Sequence, residues 1–238
     1  MSDHVIVMTR LPVPGQTKTR LEPLLGPRGC AALHRACLRD LKETLERLAC
    51  RQPVSIHVCY DGRNPQTLEC LVPGGARLCR QRGKSLGTRM QDVLARTGQP
   101  GNRMILIGSD SPQIRPEDLV RGFALLEKAD LVFGPALDGG YYLVGTRSPA
   151  PALLAEPVDR GGAEVLSRTL ALAGRQGLST ALLRPLRDLD EPEDLHAFRQ
   201  EQGRPSPESG PVWTLRELDR LLPKSSGKHR RKDETDDR

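Results

Sequence analysis

Aromatic residues make up only 3% of this 238-residue chain: three Phe, three Tyr and one Trp. The core must therefore rest on Leu, Val, Ile and Ala. Such scarcity also argues against a platform on which single-stranded bases stack. No apolar run reaches the length of a transmembrane helix, and the run at residues 5–8 is far too short for a signal-peptide core. The six cysteines (Cys30, Cys37, Cys50, Cys59, Cys70 and Cys79) contain no CxxC pair and no Cys/His zinc spacing. Cys30 and Cys37 fall seven apart on one helix face, as small buried hydrophobes do. The expectation is a reduced, cytoplasmic chain without a membrane partner.

Several motifs are missing too. Gly83-Lys84-Ser85 has the ending of a P-loop, but Leu78 stands where the loop needs its first glycine. No G-x-G-x-x-G follows the first apolar run, and no G-x-S-x-G elbow occurs. These gaps exclude a P-loop NTPase, a dinucleotide-binding enzyme and a hydrolase of the elbow type. Net charge is +6. Seven of the 36 basic residues are lysine and the other 29 arginine, scattered along the chain except for a run at residues 228–232. A scattered excess of this kind reads as a composition bias toward arginine, and it suits a compact anionic small molecule as well as a polymer; no nucleic-acid partner is expected.

Apolar runs and helical periodicities alternate. Residues 4–9, 54–60, 76–79, 104–107, 131–133, 141–144 and 180–183 read as strands. Residues 27–51, 86–96, 116–128, 163–173 and 192–200 read as helices. Alternation of this kind predicts an α/β fold with a parallel-dominated sheet flanked by helices. The run at 141 follows its predecessor so closely that an antiparallel or edge strand is expected there. Residues 1–202 form the expected domain. Residues 203–238 read as a Pro/Ser/Gly linker, a short amphipathic helix at 214–222 led by Trp213, and a charged, disordered tail.

Three segments carry candidate chemistry. Residues 103–112 (Arg-Met-Ile-Leu-Ile-Gly-Ser-Asp-Ser-Pro) place Asp110 just past a buried strand, where open α/β sheets bind ligands. Asp110 is thus a candidate to hold a hard cation against a phosphate, or a cap for the next helix. Residues 10–21 follow the first strand. If this loop is extended, Lys18 and Arg20 point the same way, toward one diphosphate, with Arg10 and Gly15 beside them. In residues 134–142, Asp138-Gly139-Gly140-Tyr141 combines a hairpin signal with a turn that lets backbone approach a ligand. In residues 188–195, Asp190 precedes a Pro-opened helix, as a cap or as a second metal ligand; Mg²⁺ takes one or two carboxylates plus phosphate and water.

Residues 5–21, 107–112, 134–145 and 188–195, in this order, resemble the small bacterial transferases known as glycosyltransferase-A-like or radical-SAM/selenodomain-associated transferases of type 1. The resemblance spans about residues 4–200. It implies a nucleotide-diphospho-sugar transferase fold of GT-A type, a Rossmann-like mixed sheet that binds a nucleotide and Mg²⁺ or Mn²⁺. On that resemblance Asp110 and Asp190 hold the metal, Arg10, Gly15, Lys18, Arg20 and Arg89 bind phosphate and nucleotide, and Gly139, Gly140 and Tyr141 face the donor or acceptor. Asp110 and Asp138 are the catalytic candidates. The chain departs from the family at Thr88, where Glu is frequent, and at Arg160-Gly161-Gly162-Ala163, both on the acceptor side. The implied activity is transfer from a nucleotide-activated sugar to a small-molecule acceptor. The alternatives are guanylyl or cytidylyl transfer from an NTP to a phosphorylated metabolite, as in the phospholactate guanylyltransferases of the same fold, and a non-catalytic nucleotide-binding member.

Overall fold

Apolar alternation along the first and fourth strands sorts the whole molecule into layers. A computed structural model describes residues 2–99, 101–147, 152–154, 161–202 and 210–223. Seven strands, β1 (Asp3–Arg10), β2 (Ser55–Asp61), β3 (Arg77–Arg80), β4 (Arg103–Ile107), β5 (Leu131–Pro135), β6 (Tyr141–Thr146) and β7 (Thr180–Leu182), form one sheet in the order β3-β2-β1-β4-β6-β5-β7. Val5, Val7, Ile105 and Ile107 point into one apolar cluster, and Ile6, Met8, Met104 and Leu106 into a second on the opposite face. That two-residue period explains why β1 and β4 read as continuous apolar runs: both faces are covered.

Helices α1 (Glu22–Arg51) and α3 (Pro116–Leu125) pack over the first cluster, and α2 (Leu86–Thr97) and α4 (Val165–Arg175) over the second. Gly26 breaks α1 with φ 65°, and Pro27 restarts it with its ring-fixed φ. A third cluster joins Leu33 and Cys37 of α1 to Leu195 and Phe198 of α5 (Pro192–Gln202) and to Leu215 and Leu218 of α6 (Val212–Leu221). The rest of the expected linker and tail lies outside the described residues.

The fold is the expected α/β sheet, mostly parallel and flanked by helices. β6 alone runs antiparallel to its neighbours, and it sits inside the sheet between β4 and β5, not at an edge. Parallel β1 and β4 are adjacent, while β2 leaves β1 on one side and β4 lies on the other. Strand order therefore reverses between β1 and β4, which opens a crevice at their carboxyl ends.

One cysteine expectation changes. Cys59 and Cys79 face each other directly in the β2–β3 register and form a disulfide. Cys30 and Cys37 are buried and free, while Cys50 and Cys70 are exposed. Among the described residues no helix is long and apolar enough to cross a membrane.

Candidate functional site

The crevice between β1 and β4 brings the basic loop against Asp110. Lys18 has φ 49°, the only non-glycine residue with positive φ among those described. The left-handed turn sends its side chain inward, where it is 1% exposed. Its Nζ donates to Asp110 Oδ1 at 2.6 Å and to the Leu189 carbonyl at 2.8 Å. The Leu189 N–H in turn donates to the Asp110 carbonyl at 3.0 Å. One ammonium thus ties together the loop after β1, the end of β4 and the segment before α5. These contacts use two of its three N–H groups.

Burial alone would lower the Lys18 pKa and raise that of Asp110. The contact between opposite charges wins on both sides: Lys18 stays protonated and Asp110 is held below the usual carboxylate range. The Asp110 side chain is 40% exposed, so its second oxygen is open to the crevice. Helix α3 does not use Asp110 as a cap. Its first turn is closed by Asp118, whose carboxylate accepts the Arg115 N–H at 2.9 Å.

More carboxylates surround this pair than there are cations to balance them. Burial, then repulsion by Asp110, Asp138 and Asp190, pushes Asp188 up to about 7, although its carboxylate accepts a hydrogen bond from the Ser111 hydroxyl. Burial and the Asp110 charge likewise raise Asp190, against the pull of Lys18 and Arg20. Asp190 does not cap α5 through its side chain. Asp194 does that work, accepting the backbone N–H groups of Asp190 (3.3 Å) and Glu191 (2.9 Å). The Asp190 carboxylate is left without a hydrogen bond among the described residues.

Other expected residues divide between the site and the scaffold. Arg20 does not run parallel to Lys18: it lies in a short 3₁₀ turn, its side chain 70% exposed, and pairs with Glu191 at 3.3 Å. Arg10, at the exposed end of β1, donates to the Gln16 carbonyl at 3.4 Å, and exposed Gly15 turns the loop with φ 75°. Arg89 on α2 pairs with Asp61 at 2.7 Å and donates to the Gly83 carbonyl at 3.1 Å. Asp138 closes the β5–β6 hairpin by accepting the Gly140 N–H at 2.8 Å, and its charge is felt by both Asp188 and Asp190. Asp138 thus closes the turn and stands near the aspartate cluster.

Two residues expected to face substrate have packing roles instead. The Tyr141 ring lies edge-on against Phe133 (centroids 5.2 Å apart) in the second apolar cluster. Gly139 (φ 90°) is needed because a Cβ there would collide with the backbone of Ala163, and its carbonyl accepts the Leu166 N–H at 3.0 Å. The close approach is to the protein's own chain.

The structure adds two residues. Asp188 repeats the residue type two positions before Asp190, which is a signal the sequence offers. His34 offers none. It is buried on α1, with Nε2 donating to the Arg10 carbonyl at 3.1 Å and Nδ1 lacking a partner among the described residues. Burial pushes it down to about 4, so it stays neutral beside Lys18.

Oxygen donors suit a hard cation. Among the described residues no group of three or more His, Cys, Asp or Glu side chains is close enough to cage a metal. The donor set fits an ion held by one or two carboxylates, with phosphate and water completing its shell. One family model and three solved structures relate the chain to known proteins. A family model described as "Uncharacterized protein conserved in bacteria (DUF2064)" matches residues 44–158. A candidate nucleotide-diphospho-sugar transferase from Desulfovibrio desulfuricans G20 superposes with a TM-score of 0.81 at 28% identity, covering 93% of this chain and 97% of its own. A nucleotidyl transferase from Methanothermobacter (TM-score 0.53, 14% identity, 83% and 96% covered) and a cytidylyltransferase from Leptospira borgpetersenii (0.52, 14%, 92% and 94%) share the fold. No curated protein matches the sequence. These findings agree with the resemblance drawn from the motifs and with the fold it implies.

Proposed function

We propose that this chain is a nucleotide-dependent transferase that moves a glycosyl group from a nucleotide-diphospho-sugar to a small-molecule acceptor. The observation that carries this reading is the Lys18–Asp110 pair at the switch point, its ammonium buried and its carboxylate partly open, with three further aspartates around it. A ligand that brings phosphate oxygens and a divalent cation together resolves both charge problems at once. Mg²⁺ or Mn²⁺ on Asp110 and Asp190 would supply Lewis-acid stabilisation of the diphosphate.

The remaining N–H of Lys18 reaches a phosphate oxygen and stabilises charge that develops on the leaving diphosphate. Exposed Arg20 exchanges Glu191 for phosphate at little cost, because a solvated ion pair is worth at most about 1 kcal/mol. Arg10, Gly15 and Arg89 line the nucleotide side. Asp138, at the hairpin tip, takes the proton of the acceptor hydroxyl. Glycosyl transfer is preferred over nucleotidyl transfer because the chain has no Gly-x-Gly-x-Arg loop of the kind that grips an NTP.

Thermal-shift measurement with UDP- and GDP-sugars and NTPs, each with and without Mg²⁺ or Mn²⁺, tests the reading. Stabilisation by a nucleotide-sugar that requires the cation and disappears in Asp190→Asn is the expected result. Response to NTPs alone would reassign the reaction to nucleotidyl transfer. No response to any nucleotide would remove both activities and leave a non-nucleotide role.

A further inference from the structure

We infer that the groove between α1 and α6 is a second binding site, one that takes a small phosphorylated anion. It is a half-open groove of about 420 Å³, lined by Arg35 and Arg39 of α1 and by Trp213, Arg216, Glu217 and Arg220 of α6. The arginines stand in i,i+4 pairs on both helices. Like charges at that spacing repel along each helix, at a few tenths of a kcal/mol per pair. Facing the two pairs across one groove adds to the repulsion, and the lining supplies one carboxylate against four guanidinium groups. Glu217 is already engaged by Arg220. Glu43, nearby on α1, accepts the Trp213 indole N–H at 2.6 Å and pairs with Arg47 at 3.6 Å.

Arg39 and Arg216 form no ion pair among the described residues. Both guanidinium carbons lie over the Trp213 ring, 5.0 and 5.8 Å from its centroid. Stacking on an aromatic face orients a guanidinium while leaving its N–H fork free, the geometry that grips phosphate through two parallel hydrogen bonds. The volume of this open groove falls within the range of small-molecule sites. A nucleic-acid surface would need a basic stripe running beyond a single groove. Arg35 also donates to the Pro12 carbonyl at 3.1 Å, which connects the groove physically to the loop that carries Lys18. The site is nevertheless separate from the aspartate cluster and does not depend on the activity proposed above.

Trp213 is the only tryptophan in the chain, so its fluorescence reports directly on this groove. Full-length protein titrated with inorganic pyrophosphate in EDTA should show a saturable change that sodium chloride of equal ionic strength does not reproduce. The Arg39→Gln/Arg216→Gln double variant should weaken that binding about tenfold or more, with its circular dichroism unchanged. If the double variant does not fold, exposed Arg220→Gln is held to the same criterion. A titration without saturation, one matched by chloride, or one unaltered by these substitutions would overturn the proposal. A short oligonucleotide that displaces pyrophosphate at far lower concentration would overturn it in favour of a nucleic-acid surface.

Discussion

A lysine held in the left-handed region carries a backbone cost of about 1–2 kcal/mol that a glycine would avoid. At Lys18 that cost delivers an ammonium to Asp110, and the two charges depend on each other. Asp110→Asn and Lys18→Met should each destabilise by about 2 kcal/mol, at the low end for a buried pair because Asp110 is 40% exposed. The double variant should lose clearly less than the sum, read from urea unfolding as a double-mutant cycle. Strict additivity would mean that the pair carries no coupling. A second residue-scale expectation concerns acid. Burial, with His4 and Arg77 adding to it, lowers His57 from 6.5 to about 4, and burial lowers His34 similarly. Their folded-state pKa values lie below the unfolded value, so their stabilisation is present above pH 6.5 and is lost as pH falls toward 4. Asp188, raised to about 7, and Asp40, raised to about 6 by burial, act in the opposite sense: their contribution is present below pH 3.8 and lost as pH rises through those values. Comparison with His57→Gln isolates the histidine. The variant should lose on the order of 1–2 kcal/mol less than wild type between pH 7 and pH 5. Asp110 and Lys18 were legible because each follows a strand that the sequence marks plainly. Asp188 was legible only as a repeat of the residue type two positions before Asp190, and His34 not at all, since the character of both comes from neighbours that are distant in sequence.

Among the elements, the β5–β6 hairpin shows how a turn signal and a site can share residues. Asp138 closes the turn with Gly140, and Gly139 accepts Leu166 from the start of α4. A side chain at position 139 would meet both an unfavourable φ and the Ala163 backbone. Gly139→Ala should therefore cost about 3 kcal/mol in denaturant unfolding, with a larger loss of ligand affinity than Gly15→Ala, since Gly15 has open space around it. Equal stability of Gly139→Ala and wild type would mean that the hairpin does not rest on α4. The sequence announced this hairpin through Asp-Gly, but not that its second strand slides between β5 and β4. Pairing partners across a sheet depend on which apolar faces meet, and local turn chemistry contains no such information. The helix caps illustrate the same limit. Asp110 and Asp190 stand where caps are common, yet Asp118 and Asp194 take those N–H groups and leave the other two carboxylates to the crevice.

Across the whole molecule, the C-terminal helix matters more than its position after a Pro/Ser/Gly stretch suggested. Leu215 and Leu218 of α6 are buried with Leu21, which follows Arg20, and with Leu189, which lies between Asp188 and Asp190. The third cluster thus supports both loops that flank the Lys18–Asp110 pair. The α6 amino end is capped from α1: Asp40 accepts the N–H groups of Trp213 (2.9 Å) and Thr214 (2.8 Å). Leu218→Ala should destabilise by about 3 kcal/mol, and truncation after Gln202 should lower the melting temperature further; unchanged melting of either would separate α6 from the core. By itself, the sequence determined the alternation of strands and helices, the strand ends at which Lys18, Asp110, Asp138 and Asp190 stand, and the exclusion of P-loop and dinucleotide chemistry. Those features rest on periodicity and on residues close together along the chain. Only the tertiary structure decided that Lys18 turns inward while Arg20 turns out, that Tyr141 packs half-buried against the core, that Asp188 joins the acidic cluster, and that Arg39 and Arg216 stack on the Trp213 ring. Each of those outcomes depends on burial and on charge at distances the chain closes only by folding, which is why no local pattern encodes them.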